Sequence, residues 1–424
     1  MKDDKPTFKV IDSPTGKGKT TALINMINKG ITEDKKYLIV TPYLDEVERI
    51  CSKTNCREPI GISGSKRDDI KRLLVDGYNV CCTHALFELF DEETRDILLN
   101  NGYRYTLIID EEPQVVRAVV GTTCKRNNEN PSIIEMFAKK DYDVMISNGL
   151  ISIDPTTKFI TWNYDNPYNS TPDDNGIFDS FRQLTEIGDL YTITNNATVI
   201  AFTKPDIWKW FDDVYISSYR VRYGYFYSYC RLYNLGVEWY HIIDNGDIAL
   251  GEKLELPLGL HRIRVYNDTK YLLPYTLSKT WYNNNHKDKK AIDQVKTKFR
   301  GYLRYHIKKL KAKDMFWTVF KAYSDTIKGK DISIKRFVQC NKRATNDYKD
   351  CTIVGVLCDR YPLTMLETFF NSRGITIDRN EYTLNELIQF IWRSNIRDNS
   401  SDKDIHVYIP HKRMRDLFSR WLSI

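Results

Sequence analysis

Ser13-Pro14-Thr15-Gly16-Lys17-Gly18-Lys19-Thr20 directly follows an apolar run at residues 8–11 and opens a helical pattern over residues 19–28. A loop that cradles phosphates needs small residues, so that backbone N–H groups turn inward toward oxyanions. It also needs a lysine for the outer phosphates and a hydroxyl for a divalent cation. Gly16 and Gly18 permit the tight turn, Lys19 reaches the β- and γ-phosphates, and Thr20 ligates Mg²⁺. Pro14, Thr15, Lys17 and Thr21 complete the expected ATP-binding stretch. The helix beginning here adds the partial positive charge of its N-terminus. A plain surface turn rich in Gly and Lys would lack the strand before and the helix after. That context favours ATP and Mg²⁺ as cofactors.

Phosphoryl transfer also needs a carboxylate for the metal and a group that orients the attacking water. The apolar run at residues 105–109 ends in Asp110-Glu111-Glu112-Pro113. In a parallel sheet, ligands bind at the carboxyl ends of strands. An acidic turn and a phosphate loop that each follow a strand would therefore meet at one sheet edge. Asp110 is expected to hold the metal and Glu111 to act on the water. Alone, an acidic pair after a strand is often a solvated turn; the phosphate loop upstream favours the catalytic reading.

Further along, short apolar runs alternate with helical stretches, which predicts an α/β protein with largely parallel sheets. Strands are expected at residues 37–40, 79–82, 191–203 and 214–216, with loops at 124–131 and 163–176. In the second half they are expected at 316–320, 337–340, 352–357 and 406–409. The boundary between two α/β lobes falls near 205–213, giving lobes of 1–205 and 206–424 with an inserted segment around 220–313.

The chain has 424 residues, 42% of them hydrophobic and 28% charged, enough for a sizeable core and two or three domains. No uncharged apolar run reaches the length of a membrane span, and the start lacks an apolar signal core. The nine cysteines form no CxxC and fit a reducing, cytoplasmic setting, which is host cytoplasm if the gene is a phage's. Net charge is +7, a mild bias that permits an anionic partner without requiring one.

With those residues in view, the chain resembles superfamily 2 helicases of the DEAD/DEAH-like kind, particularly phage- and virus-encoded members. Residues 13–20 look like their first motif and residues 110–113 like their second. Ser13 stands where such proteins carry glycine or alanine. The resemblance implies two RecA-like lobes, ATP hydrolysis coupled to unwinding, and nucleic acid as partner, DNA in preference to RNA, with possible replication or recombination proteins. It implies nucleic-acid contacts from Thr41 and Pro42, from Thr83 and His84, and from Asn341, Arg343 and Thr345. Short hydroxyl and amide side chains at strand ends suit such phosphate contacts, although a single Thr there serves equally as a turn or cap residue. Asn196-Ala197-Thr198 resembles the motif that couples hydrolysis to strand movement. Residues 389–397, QFIWRSNIR, resemble the arginine motif of the second lobe, with Trp392 where glycine is usual and four residues rather than three between the arginines. Continued as one helix, Gln389, Arg393 and Arg397 share a face and meet the triphosphate across a cleft; an exposed basic helix face is the plainer alternative.

Two further stretches could widen the track. Residues 286–313 hold eleven Lys or Arg against two Asp, and suit a phosphate backbone. The same stretch reads as a solvated helix with Ile292, Val295, Phe299, Tyr302 and Leu303 packed inward. Residues 215–240 interleave tyrosines with Arg220, Arg222 and Arg231, and alternation favours a plain β-ribbon over a base-stacking surface. Two other functions share the phosphate loop: a genome-packaging motor, which needs a nuclease lobe with clustered carboxylates, and a non-catalytic module that uses ATP as a switch.

Overall fold

The computed structural model describes residues 5–61, 64–121, 137–167, 177–193, 198–253, 255–286, 289–305, 311–340 and 347–424. Its strands begin with β1 (Thr7–Asp12), β2 (Lys36–Thr41), β3 (Cys56–Arg57), β4 (Asn79–Thr83) and β5 (Tyr105–Asp110). Next come β6 (Val116–Gly121), β7 (Phe137–Ala138), β8 (Ile151–Ile153), β9 (Phe159–Trp162), β10 (Gly188–Ile193) and β11 (Thr198–Thr203). Then follow β12 (Asp213–Ser218), β13 (Gly236–Ile242), β14 (Ile248–Leu250), β15 (Ile263–Val265), β16 (Met315–Thr318), β17 (Ile353–Val356) and β18 (Ile405–Tyr408).

The chain divides into two compact units: Met1–Asp12, Thr20–Lys253 and Met365–Thr376 form the first; Ser13–Lys19, Leu254–Thr364 and Ile377–Ile424 form the second. The α/β reading with parallel sheets holds in both. In the first, an eight-stranded sheet runs β14-β13-β1-β12-β5-β2-β4-β3, and every pairing but β13–β14 is parallel. Its central strands are apolar on both faces, as helices on either side require. Leu107, Ile108 and Ile109 of β5 are fully buried, and each contributes roughly 1.5–3 kcal/mol by leaving water. In the second, β15-β18-β17-β16 form a parallel sheet.

The expected lobe boundary near 205–213 is corrected. β12 pairs with β1 on one side and β5 on the other, so the first unit runs on to Lys253. The turn before it, Pro205–Trp210, is anchored in the core by Trp208. Trp208 is buried 5.3 Å from Phe8, and its Nε1 donates to Tyr229 Oη at 2.8 Å. The inserted segment expected around 220–313 is corrected too: residues up to 253 complete the first unit and those from 254 belong to the second. An insertion lies instead at residues 116–203, between β5 and β12. There six strands form a separate sheet, β7-β6-β11-β10-β9-β8, antiparallel except for β6–β7, over a core that includes Tyr142, Phe181 and Leu190. The single run expected at 191–203 is a hairpin of β10 and β11.

The ribbon expected over 215–240 is corrected. Only β13 is strand after β12, while Tyr225–Leu232 is a helix burying Phe226, Tyr229 and Cys230 on one face. The strand expected at 337–340 is absent among the described residues, where Phe337 makes one isolated bridge to Trp317. The basic stretch resolves toward packing. Helix Lys289–Tyr305 buries Ile292, Val295, Phe299, Tyr302 and Leu303, and Arg300 and Arg304 both pair with Asp331 at 2.9 and 2.7 Å. No helix among the described residues is long and apolar enough to cross a membrane.

Candidate nucleotide site and nucleic-acid track

β1 delivers the chain into the expected phosphate loop, and helix Lys19–Ile31 carries it away. Gly16 and Gly18 have φ of +90° and +85°, conformations that favour glycine. No atom lies within 4 Å of where their Cβ atoms would stand, so this rim of the loop is open. Lys17 N–H donates to Pro14 O at 3.2 Å and Lys19 Nζ to Ser13 O at 2.9 Å. Ser13 is fully buried and Pro14 is buried; Thr15 and Thr20 are half-buried, and Thr21 is exposed. Lys17 Nζ lies 3.6 Å from Glu255 Oε2.

The acidic turn leaves the carboxyl end of β5, one strand from β1 in the same sheet. Asp110 is buried at the strand end. Glu111 has φ of +76°, a left-handed conformation that costs a non-glycine residue about 1–2 kcal/mol. Its N–H donates to Ser217 O at 2.8 Å, which ties the turn to β12. Glu112, which the sequence reading left without a role, is buried and accepts the N–H of Phe226 at 2.9 Å, at the start of helix Tyr225–Leu232. A Cβ on Gly224 would meet that carboxylate at 2.3 Å, so a side chain there would displace it.

The end of β12 is the feature that sequence reasoning missed. Ser217 sits opposite Asp110 and Ile11 in register, and Ser218 opposite Asp12. Ser217 Oγ is buried and makes no hydrogen bond. Arg220, buried with φ of +56°, donates its N–H to Asp12 Oδ1 at 2.7 Å. The available signal was Ser217-Ser218, small polar residues closing an apolar strand. Asn196-Ala197-Thr198 does not occupy this position: 196 and 197 lie outside the described residues, and Thr198 begins β11 in the other sheet of the first unit.

Of the expected track residues, Thr41 is fully buried and its hydroxyl donates to Tyr43 O at 3.1 Å, the role of a turn residue. Pro42 beside it is half-buried. Thr83 caps helix His84–Phe87 by accepting Leu86 N–H at 3.4 Å. His84 Nε2 lies 3.0 Å from Asp110 O, linking the end of β4 to the acidic turn. Asn341, Arg343 and Thr345 lie outside the described residues.

The shared helix face of Gln389, Arg393 and Arg397 is corrected. Helix Arg379–Ile391 stops one residue before Trp392, which packs edge-on against Trp421 at 5.7 Å. Ser394 Oγ donates to Ile391 O at 2.7 Å, satisfying a carbonyl at the helix end, and a short turn, Asn395–Arg397, follows. Gln389 is half-buried, its Nε2 3.3 Å from Asn385 Oδ1. Arg393 is buried with its guanidinium 5.1 Å from the Phe390 ring; Arg397 is half-buried. Buried Arg262 clamps this turn by donating to Asn395 O at 2.9 Å, Asp398 O at 3.2 Å and Ser401 O.

Comparisons with known proteins agree with this architecture. The fold resembles that of S. tokodaii Xpd4, with a TM-score of 0.50 at 13% identity over 99% of this chain and 94% of that one. Residues 260–422 match the family described as the YonV C-terminal Rossmann-like domain. The chain is 31% identical to the SPbeta prophage-derived uncharacterized protein YonV of Bacillus subtilis (strain 168), over 98% of each. At that identity over nearly the full length of both chains, this protein is a member of the YonV family.

Proposed function

We propose that the chain is an ATP-driven helicase or translocase acting on nucleic acid, with DNA as its substrate, in phage replication or recombination. The observation that supports this reading is the strand order β1-β12-β5, in which the strands leading into the proposed phosphate loop and the acidic turn lie one strand apart. The open rim at Gly16 and Gly18 and the buried carboxylate of Asp110 suit a nucleotide with Mg²⁺. In this reading Lys19 binds the outer phosphates, and Thr20 and Asp110 hold the metal, which supplies charge neutralisation on the transferred phosphoryl group. Glu111 orients the attacking water. Ser217 and Arg220, beside both loops, take the coupling role expected of residues 196–198. Arg393 and Arg397 stabilise the charge that develops on the triphosphate, with Gln389 beside them. Pro42, Thr83 and His84 lie along the nucleic-acid track, and Asn341, Arg343 and Thr345 extend it in the second unit.

The experiment is ATP turnover with and without single-stranded DNA, together with strand separation on a forked duplex. Wild type is expected to hydrolyse ATP faster with DNA and to separate the fork, and Lys19→Ala to lose both activities by at least about 100-fold. Turnover that Lys19→Ala leaves unchanged would refute the phosphate-loop assignment.

A further inference from the structure

In the second unit, a cavity of about 670 Å³ opens beyond the carboxyl ends of β17 and β18. Its lining includes Asp359 and Tyr361, which follow β17, and His411 and Lys412, which follow β18. The loop that walls its other side is fixed by hydrogen bonds: Leu273 N–H donates to Pro410 O at 2.9 Å, and Asp359 N–H donates to Leu277 O at 2.9 Å. These walls are therefore preformed.

Two of the lining side chains are buried and incompletely satisfied. His411 is 1% exposed, and neither ring nitrogen has a hydrogen-bond partner. Its Nε2 lies 3.8 Å from Asp359 Oδ1, too far for a hydrogen bond. Asp359 is also 1% exposed; Oδ1 accepts from Arg413 at 2.7 Å, while Oδ2 has no partner. Leaving such groups dry and unpaired costs roughly 1–3 kcal/mol each, so a ligand that bonds to them has energy to gain. His411 is also the N-cap residue of the eleven-residue helix Lys412–Leu422, and its side chain makes no capping bond. The helix N-terminus carries partial positive charge, and exposed Lys412 lines the cavity beside it, as do Arg415 and Asp416 further along the helix. Arg413 is engaged with Asp359, Asn380 and Thr383 and holds the carboxylate in place. Tyr361 stacks under its guanidinium at 4.1 Å, and Tyr275, a second lining ring, lies on Trp281 at 5.0 Å.

We propose that this cavity is a second nucleotide-binding site, separate from the phosphate loop. The phosphate of a nucleoside monophosphate unit sits at the start of helix Lys412–Leu422 beside Lys412. A hydroxyl or amino donor on its sugar or base bonds to Asp359 Oδ2, and His411 supplies a second polar contact. Tyr361 and Tyr275 flank the base. This chemistry belongs equally to a free nucleotide and to one residue of a nucleic-acid strand. The site goes beyond the proposed function and does not depend on it.

The test uses the full chain carrying Lys19→Ala, so that the phosphate loop no longer binds. Calorimetric titrations with AMP, adenosine and a 5′-phosphorylated single-stranded oligonucleotide are compared with those of the same protein also carrying Lys412→Glu or His411→Gln. Lys412 is exposed, so its variant is expected to fold normally, and His411→Gln keeps a polar group in the buried position. The expected result is binding at least tenfold weaker in both variants for AMP, which identifies a free nucleotide, or for the oligonucleotide alone, which identifies a strand residue. Adenosine is expected to bind at least tenfold more weakly than AMP. No binding of AMP or oligonucleotide by the Lys19→Ala protein, or binding that neither variant alters, would overturn the proposal. Wild-type ATP turnover is measured in parallel, so failure of the motor reading registers separately.

Discussion

At the scale of single residues, Glu111 carries backbone strain at the position assigned to catalysis. Its φ of +76° is a conformation glycine adopts freely. Glu111→Gly is therefore expected to leave stability unchanged or raise it by up to about 1 kcal/mol in urea unfolding, while turnover falls at least about 100-fold. Glu111→Gln, which keeps the strain, should lose turnover without gaining stability. A clear loss of stability in Glu111→Gly would remove the argument from strain. A second residue-scale expectation concerns Cys340. A hydrogen bond from the Cys358 thiol, with the Arg360 guanidinium nearby, outweighs burial and brings its pKa down to about 6. Its alkylation by iodoacetamide, followed by mass spectrometry, should reach half-maximum near pH 6 rather than near the roughly 8.5 of a free thiol. The folded state favours the thiolate, so the linked stabilisation is full above about pH 8.5 and fades as pH falls toward 6. An ordinary thiol profile would contradict the pairing. The turn at Gly16 and Gly18, both at positive φ, and the buried Asp110 at the end of β5 were legible because those features are local to the sequence. Glu112 was not, since its partner, the N–H of Phe226, is 114 residues away.

Among elements, the strands of the two parallel sheets were largely legible, because a strand buried on both faces reads as a continuous apolar run. The arginine segment was not. A spacing of four predicts one helical face only if the helix continues, and Trp392 and Ser394 end it. The tyrosine-rich stretch was misread for the opposite reason, as alternation over residues 219–227 coincides with a helix start whose apolar face suits either period. The turn that replaces the expected arginine helix has its own anchor in Arg262. Arg262→Ala leaves the carbonyls of buried Asn395 and of Asp398 and Ser401 without their donor. It is expected to destabilise the second unit by about 3 kcal/mol in urea unfolding and to lower ATP turnover more than ATP binding. Unfolding that superposes on wild type would show that the clamp contributes nothing.

For the whole molecule, the alternation of apolar runs and helical stretches pointed to the α/β class, whereas topology stayed hidden. Sequence order suggested two lobes split near residue 205, yet β12 returns between β1 and β5 after an excursion of nearly ninety residues through a second sheet. Residues 365–376 return likewise: the Phe369 ring lies tilted 5.1 Å from Phe202, and Arg373 lies 3.6 Å over Phe369, within the first unit. Such long-range pairings leave no local periodicity to read. The strand order they produce nonetheless sets the carboxyl ends of β1 and β5 one strand apart, and the motor reading adds that Arg393 and Arg397 act on one triphosphate. The most direct measurement is DNA-stimulated ATP turnover of Arg397→Ala and Arg393→Lys, alongside binding of a fluorescent ATP analogue. Turnover should fall by about 10³-fold or more, with analogue binding within a few-fold of wild type. Folded variants that hydrolyse ATP at the wild-type rate would contradict it.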